Sequence, residues 1–176
     1  MRHPRKVSAL ILSILVAGCA PTFTMSPISP LAGPLNEYRF AYLACESNTT
    51  EDVVKELTDL RGLALSKILG LGVFEHAQLA SGSDQYAEGD LLIKVSVQNI
   101  RKVGGAKRFM LGAFAGKASM EINIQFVDAS SNRVLGSYLA KGESGGTGIS
   151  GGTSDAVAKT AEAIENVIAS HFRPIP

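Results

Sequence analysis

The chain has no Trp, only 2 Cys and 3 His in 176 residues, and an aromatic content of 6%. Two cysteines are too few for a disulfide framework or a Cys-rich zinc module, each of which needs a further pair or cluster. With 17 Lys and Arg against 16 Asp and Glu, the net charge is +1, so no basic footprint argues for nucleic acid. There is also no uninterrupted apolar run of the roughly 20 residues that a spanning helix requires. Hydrophobic residues still make up 45% of the chain, which suits one ordinary globular domain with attachments.

The attachment is at the N-terminus. Arg2, Arg5 and Lys6 stand without an acid, and Val7 to Val16 run apolar except for Ser8 and Ser13, before Ala17, Gly18 and Cys19. A basic start, an apolar stretch and small residues together predict a secretory signal peptide. Leu15-Val16-Ala17-Gly18-Cys19 resembles the lipobox of bacterial lipoproteins, with Val16 where Leu is commoner. That resemblance implies cleavage after Gly18, a diacylglycerol on the Cys19 sulfur and acylation of the new amino group, with palmitate among the acyl chains. The alternative is a secretory signal without lipidation. Ala20, rather than Asp, after the lipidated Cys resembles the outer-membrane sorting pattern of Gram-negative lipoproteins and implies a body facing the periplasm.

Removing residues 1–18 leaves 176 − 18 = 158 residues, with 17 − 3 = 14 basic and 16 acidic side chains and a net charge of −2. A body without basic excess gains little from anionic headgroups, so the lipid must do the anchoring. Residues 19–36 hold the lipidated Cys and a tether with Pro21, Pro27, Pro30 and Pro34, four of the chain's 7 prolines. Extended at about 3.1 Å per residue, such a tether would let the domain stand up to roughly 50 Å from the membrane. Residues 37–176 form the expected periplasmic α+β domain. With Cys19 alkylated, Cys45 has no partner in the chain. It is most simply a small buried hydrophobe, a disulfide to another chain being the alternative.

Residues 38–46 are rich in apolar and aromatic side chains and predict a strand. Thr49 and Asp52 stand in capping-box spacing before Val53, Leu57, Leu60, Ala64 and Ile68, one face of a helix that Gly70 and Gly72 stop. A strand over 73–80 then implies a parallel pair. Leu91, Ile93, Val95 and Val97 alternate with polar residues, as do Ala118, Met120, Ile122, Ile124 and Phe126. A turn at 128–132 leads to a strand over 134–143. Val157, Ala161, Ile164, Ile168 and Phe172 line a last helix, with Thr153 or Ser154 as its N-cap. The pattern predicts a two-layer α+β sandwich: a mixed five-stranded sheet with two helices on one face, in the order strand, helix, four strands, helix.

Little in the sequence suggests chemistry. Gly146, Gly148 and Gly151 fit G-x-G-x-x-G within a run that also holds Gly145 and Gly152. A dinucleotide site needs a further strand with an acid for the ribose, and the chain has none after this helix. Gly152 also stands where a phosphate-binding Lys would be. A loop leading into a helix is the simpler reading, with a nucleotide or sugar site over 144–153 as the alternative. His76 and His171 have no second His at ligand spacing, and Gly148-Ile149-Ser150-Gly151 is one residue short of a nucleophile elbow. No catalytic residue, metal site or cofactor is expected.

The link over 104–116 is too long for a tight hairpin and carries Phe109, Met110, Leu111 and Phe114 beside Lys107 and Arg108. Apolar side chains on a basic loop suit docking to a partner or a membrane, unless they fold back into the core. The Gly89-Asp90 strand start, this excursion, the Phe126-Val127-Asp128-Ala129 strand end, Val134-Leu135 and the glycine run before an amphipathic helix resemble the domain of unknown function 4410 family of bacterial lipoproteins. The resemblance implies a lipoprotein fold and no established activity. The expectation is a lipid-anchored, non-enzymatic factor that binds an envelope protein.

Overall fold

The computed structural model describes residues 20–103, 116–145 and 152–172. Its elements are β1 (Thr22–Ser29), β2 (Phe40–Ser47), α1 (Val54–Gly70), β3 (His76–Leu79), β4 (Asp90–Arg101), β5 (Ser119–Asp128), β6 (Arg133–Glu143) and α2 (Thr153–His171). The strands make one sheet in the order β1-β6-β5-β4-β2-β3. β2 lies parallel to both β3 and β4, and the β4, β5, β6 and β1 neighbours are antiparallel. The architecture is α+β with two helices and a mixed sheet, but the sheet has six strands rather than the expected five. The element order differs by one additional strand at its N-terminal end.

That strand, β1, lies inside the stretch read as a tether. Phe23 and Met25 alternate with Thr22, Thr24 and Ser26, and both pack against the core, which gives the segment a dry face to bury. Pro27 is tolerated because β1 is an edge strand, where a missing N–H costs no second ladder, and the register slips just after it. The prolines therefore favour an extended segment that is paired rather than free.

The alternating faces of β4, β5 and β6 bury Ile93, Val95, Ile122, Ile124, Phe126 and Tyr138 under the helices. Each fully buried Ile or Phe contributes about 1.5–3 kcal/mol. Helix α1 adds Leu60, Ala64 and Ile68, as its spacing predicts. Its first turn differs from expectation. Leu57 is only half-buried, and Glu56 is buried and accepts a hydrogen bond from Lys102 Nζ at 2.8 Å. No capping box forms. Thr49 Oγ1 instead accepts from the Glu51 amide and Asp52 Oδ1 from the Val54 amide, two short turns that delay the helix to Val54.

Helix α2 buries Val157, Ala161, Ile164 and Ile168. Its N-cap is Gly152, not Thr153 or Ser154, and no side chain caps it. It approaches β6 at Gly142, where an added Cβ would lie 2.3 Å from the Ala156 carbonyl oxygen and 2.6 Å from the Thr160 amide. Glycine at 142 is what lets helix backbone and strand backbone come this close.

Candidate functional site

Strand register decides what lies together. Thr22 pairs with Glu143, Glu143 with Ser119, and Ser119 with Arg101, so one row crosses β1, β6, β5 and β4 at a single end of the sheet. Neighbouring strands are about 4.8 Å apart, which puts Arg101 roughly 14 Å from Thr22 across that row. Both helices begin at this end. Lys102, just past β4, bonds Glu56 and the Asp52 carbonyl at the start of α1, while Gly142 meets the first turns of α2.

The expected site residues divide accordingly. Cys19 lies outside the described residues, three positions before Thr22. Lys107, Arg108, Phe109, Met110, Leu111 and Phe114 also lie outside them, but the flanking residues Arg101 and Ser119 place both ends of that link in the Thr22 row. Gly146, Gly148 and Gly151 are outside as well. Of the glycine run, Gly145 is buried and Gly152 is half-buried at the α2 N-cap. Ser144 and Ala118 exchange hydrogen bonds there, each 2.9 Å: the Ser144 amide donates to Ala118 O and the Ala118 amide to Ser144 Oγ. Asp155 occupies the first turn of α2, so a carboxylate already faces the helix dipole where a phosphate would bind. The register thus joins the N-terminal strand with the residues that flank the basic link and precede the glycine run, which are far apart in the chain.

The charge at this end is largely paired. Glu143 lies 2.8 Å from Lys141 Nζ and 3.9 Å from Lys117 Nζ, and the Lys141 hydrogen bond, then the two lysine charges, hold its carboxyl below the usual range against burial.

Cys45 is buried and free, and desolvation pushes its thiol up to about 12 despite the Arg61 charge. It behaves as the small hydrophobe expected of it. His76 is exposed on edge strand β3 and stacks on Phe40 at 5.6 Å. His171 ends α2, as its position predicts, and its role is structural. Its Nδ1 lies 2.8 Å from the Val167 carbonyl oxygen, which can only accept, so Nδ1 is the donor there, and in the neutral ring Nε2 accepts from the Tyr138 hydroxyl at 3.1 Å. The Tyr138 oxygen in turn accepts from the Leu31 amide at 3.3 Å, and the Leu35 amide donates to the His171 carbonyl at 3.0 Å. No local sequence signal marks this network, because Tyr138 and His171 are 33 residues apart.

A cleft of about 280 Å³ opens at the opposite end, between the 31–38 segment and the start of β6 at Arg133 and Val134. A groove of about 410 Å³ runs between α1 and the start of α2, lined by Asp59, Leu63, Ser154 and Val157. Among the described residues no three His, Cys, Asp or Glu side chains are placed to hold a metal ion, and no helix is long and apolar enough to cross a membrane.

Residues 64–148 match the family model described as Domain of unknown function (DUF4410), and that stretch, from the middle of α1 through β6, is of the family its sequence features resemble. No curated protein matches the chain by sequence. Among solved structures, a PelC dodecamer from Paraburkholderia phytofirmans is 15% identical with a TM-score of 0.55, over 88% of this chain and 99% of that one. A point variant of it, also a dodecamer, is 17% identical with a TM-score of 0.54, over 87% and 100%. A more distant chain, described as a putative lipoprotein from Caulobacter crescentus CB15, is 14% identical with a TM-score of 0.39, over 78% and 91%. At these identities the PelC likeness shows the fold.

Proposed function

We propose that this chain is a lipid-anchored envelope protein that acts without catalysis, as a binding and assembly factor at the periplasmic side of the outer membrane. The observation that supports it best is the row Thr22, Glu143, Ser119 and Arg101, which brings the strand that follows the lipobox and the residues flanking the basic apolar link to one end of the sheet. Lipidation of Cys19 supplies the anchor, and the link with Phe109, Met110, Leu111 and Phe114 supplies the docking surface, with Lys107 and Arg108 steering it. PelC of the same fold is a dodecamer, and we extend to this chain the expectation that assembly is how the fold works.

The test changes Phe109→Ser and Leu111→Ser together and measures the denaturation midpoint alongside crosslinking in living cells. Docking gives a midpoint near that of the parent and loss of crosslinks to envelope proteins or to further copies. A midpoint that collapses makes these side chains core and removes the docking surface. Mass spectrometry of the N-terminal peptide tests the anchor separately.

A further inference from the structure

We infer that the protein stands end-on upon the bilayer, with the Thr22 row against the lipid headgroups and the strands pointing away from the membrane. The inference rests on the lipid-anchored reading and specifies the surface that meets the membrane. It follows from how little chain separates anchor and sheet. Between Cys19 and Thr22 lie only Ala20 and Pro21, and Thr22 is already paired with Glu143. Three residue steps span at most about 10 Å. A lipid on Cys19 therefore holds the end of β1 close to the headgroups, and β1 is fixed to the body through its ladder with β6.

The same row carries the membrane-facing position across the molecule. Arg101, Ser119 and Glu143 are level with Thr22, whereas Asp128 and Arg133 pair at the other end of β5 and β6. Strand β5 has 10 residues, so at about 3.4 Å per step its two ends are roughly 31 Å apart. Three of the lysines at this end, Lys102, Lys117 and Lys141, are held by Glu56 and Glu143, so the anchor and the β1 ladder, rather than free surface charge, set this orientation.

The experiment uses the full mature lipoprotein in phosphatidylethanolamine–phosphatidylglycerol vesicles containing a lipid with a nitroxide on its headgroup. A fluorophore is attached at Lys117→Cys or Ser154→Cys at the Thr22 end, and at Val134→Cys or Glu88→Cys at the other. Cys45 does not compete for label, being buried with its thiol pushed up to about 12. End-on standing gives quenching several times stronger at 117 and 154 than at 134 and 88. Equal quenching at both ends, or stronger quenching at 134 and 88, overturns it. Two sites per end keep the test intact if one variant fails to fold. The N-terminal peptide of the same sample is weighed: absence of acyl groups removes the anchored reading together with this inference, whereas acylated protein with equal or inverted quenching removes the orientation alone.

Discussion

The Tyr138 hydroxyl meets His171 Nε2 at 3.1 Å and the Leu31 amide at 3.3 Å, so one oxygen on β6 ties the end of α2 to the segment between β1 and β2. Tyr138→Phe keeps the ring that packs edge-on against Phe126 and removes only that oxygen. The Leu31 amide and the imidazole then lose their partner in a half-buried site. The expected loss is about 1–3 kcal/mol by urea denaturation. A loss no larger than that of a Tyr→Phe change at the half-buried Tyr86 would mean that the oxygen does not join the three segments.

Gly142 and Gly62 predict opposite outcomes for the same substitution. At Gly142 a Cβ meets the backbone of Ala156 and Thr160, and α2 must move away from β6, so Gly142→Ala should cost about 1–3 kcal/mol. At Gly62, inside α1, nothing lies within 4 Å, and Gly62→Ala should stabilise by about 0.5–1 kcal/mol. Thermal melts of the two variants check both directions.

Asp128 organises the β5–β6 turn. Its Oδ1 accepts from the Ser131 amide at 2.9 Å and from the Ser130 and Ser131 hydroxyls at 2.8 Å, and these bonds, led by the Ser131 amide, hold its carboxyl down to about 2. A carboxyl lowered on folding contributes stability that is full above its unfolded value near 4 and is lost as pH falls through about 2. Stability should therefore decline between pH 4 and pH 2, and the decline should be shallower in Asp128→Asn. Because Asp128 is only half-buried, at a turn where water screens its charge, the effect is small, and urea midpoints at closely spaced pH values are the appropriate measurement.

Cys45 should resist thiol reagents in the folded protein. Burial leaves almost no thiolate at pH 8 with the thiol at about 12. An aromatic disulfide reagent should titrate no Cys45 thiol under native conditions and one in strong denaturant. Rapid native reaction would show that β2 opens to solvent.

Local periodicity made much of this fold legible. The alternation in β4 and β5 and the stripe of α2 are repeated side-chain patterns, and the structure buries the residues they single out, Phe172 at the end of α2 only partly. The prolines hid β1: Pro27 suggested a segment unable to pair, while the weaker signal, Phe23 and Met25 among Thr and Ser, was the one that decided. Glu56 was missed because its burial depends on Lys102, 46 residues away. The candidate site was legible only as pieces. Nothing in the sequences around Thr22, Arg101, Ser119 and Glu143 says that they share a row, because register is set by pairing between distant strands.

The pairing of β1 with β6 also sets an order in time. Thr22 and its partner Glu143 are 143 − 22 = 121 residues apart, so a chain made from its N-terminus presents β1 first and β6 almost last. Throughout that interval β1 has no strand to join, and the late arrival of β6 is what turns a loose leading segment into the closed margin of a finished sheet.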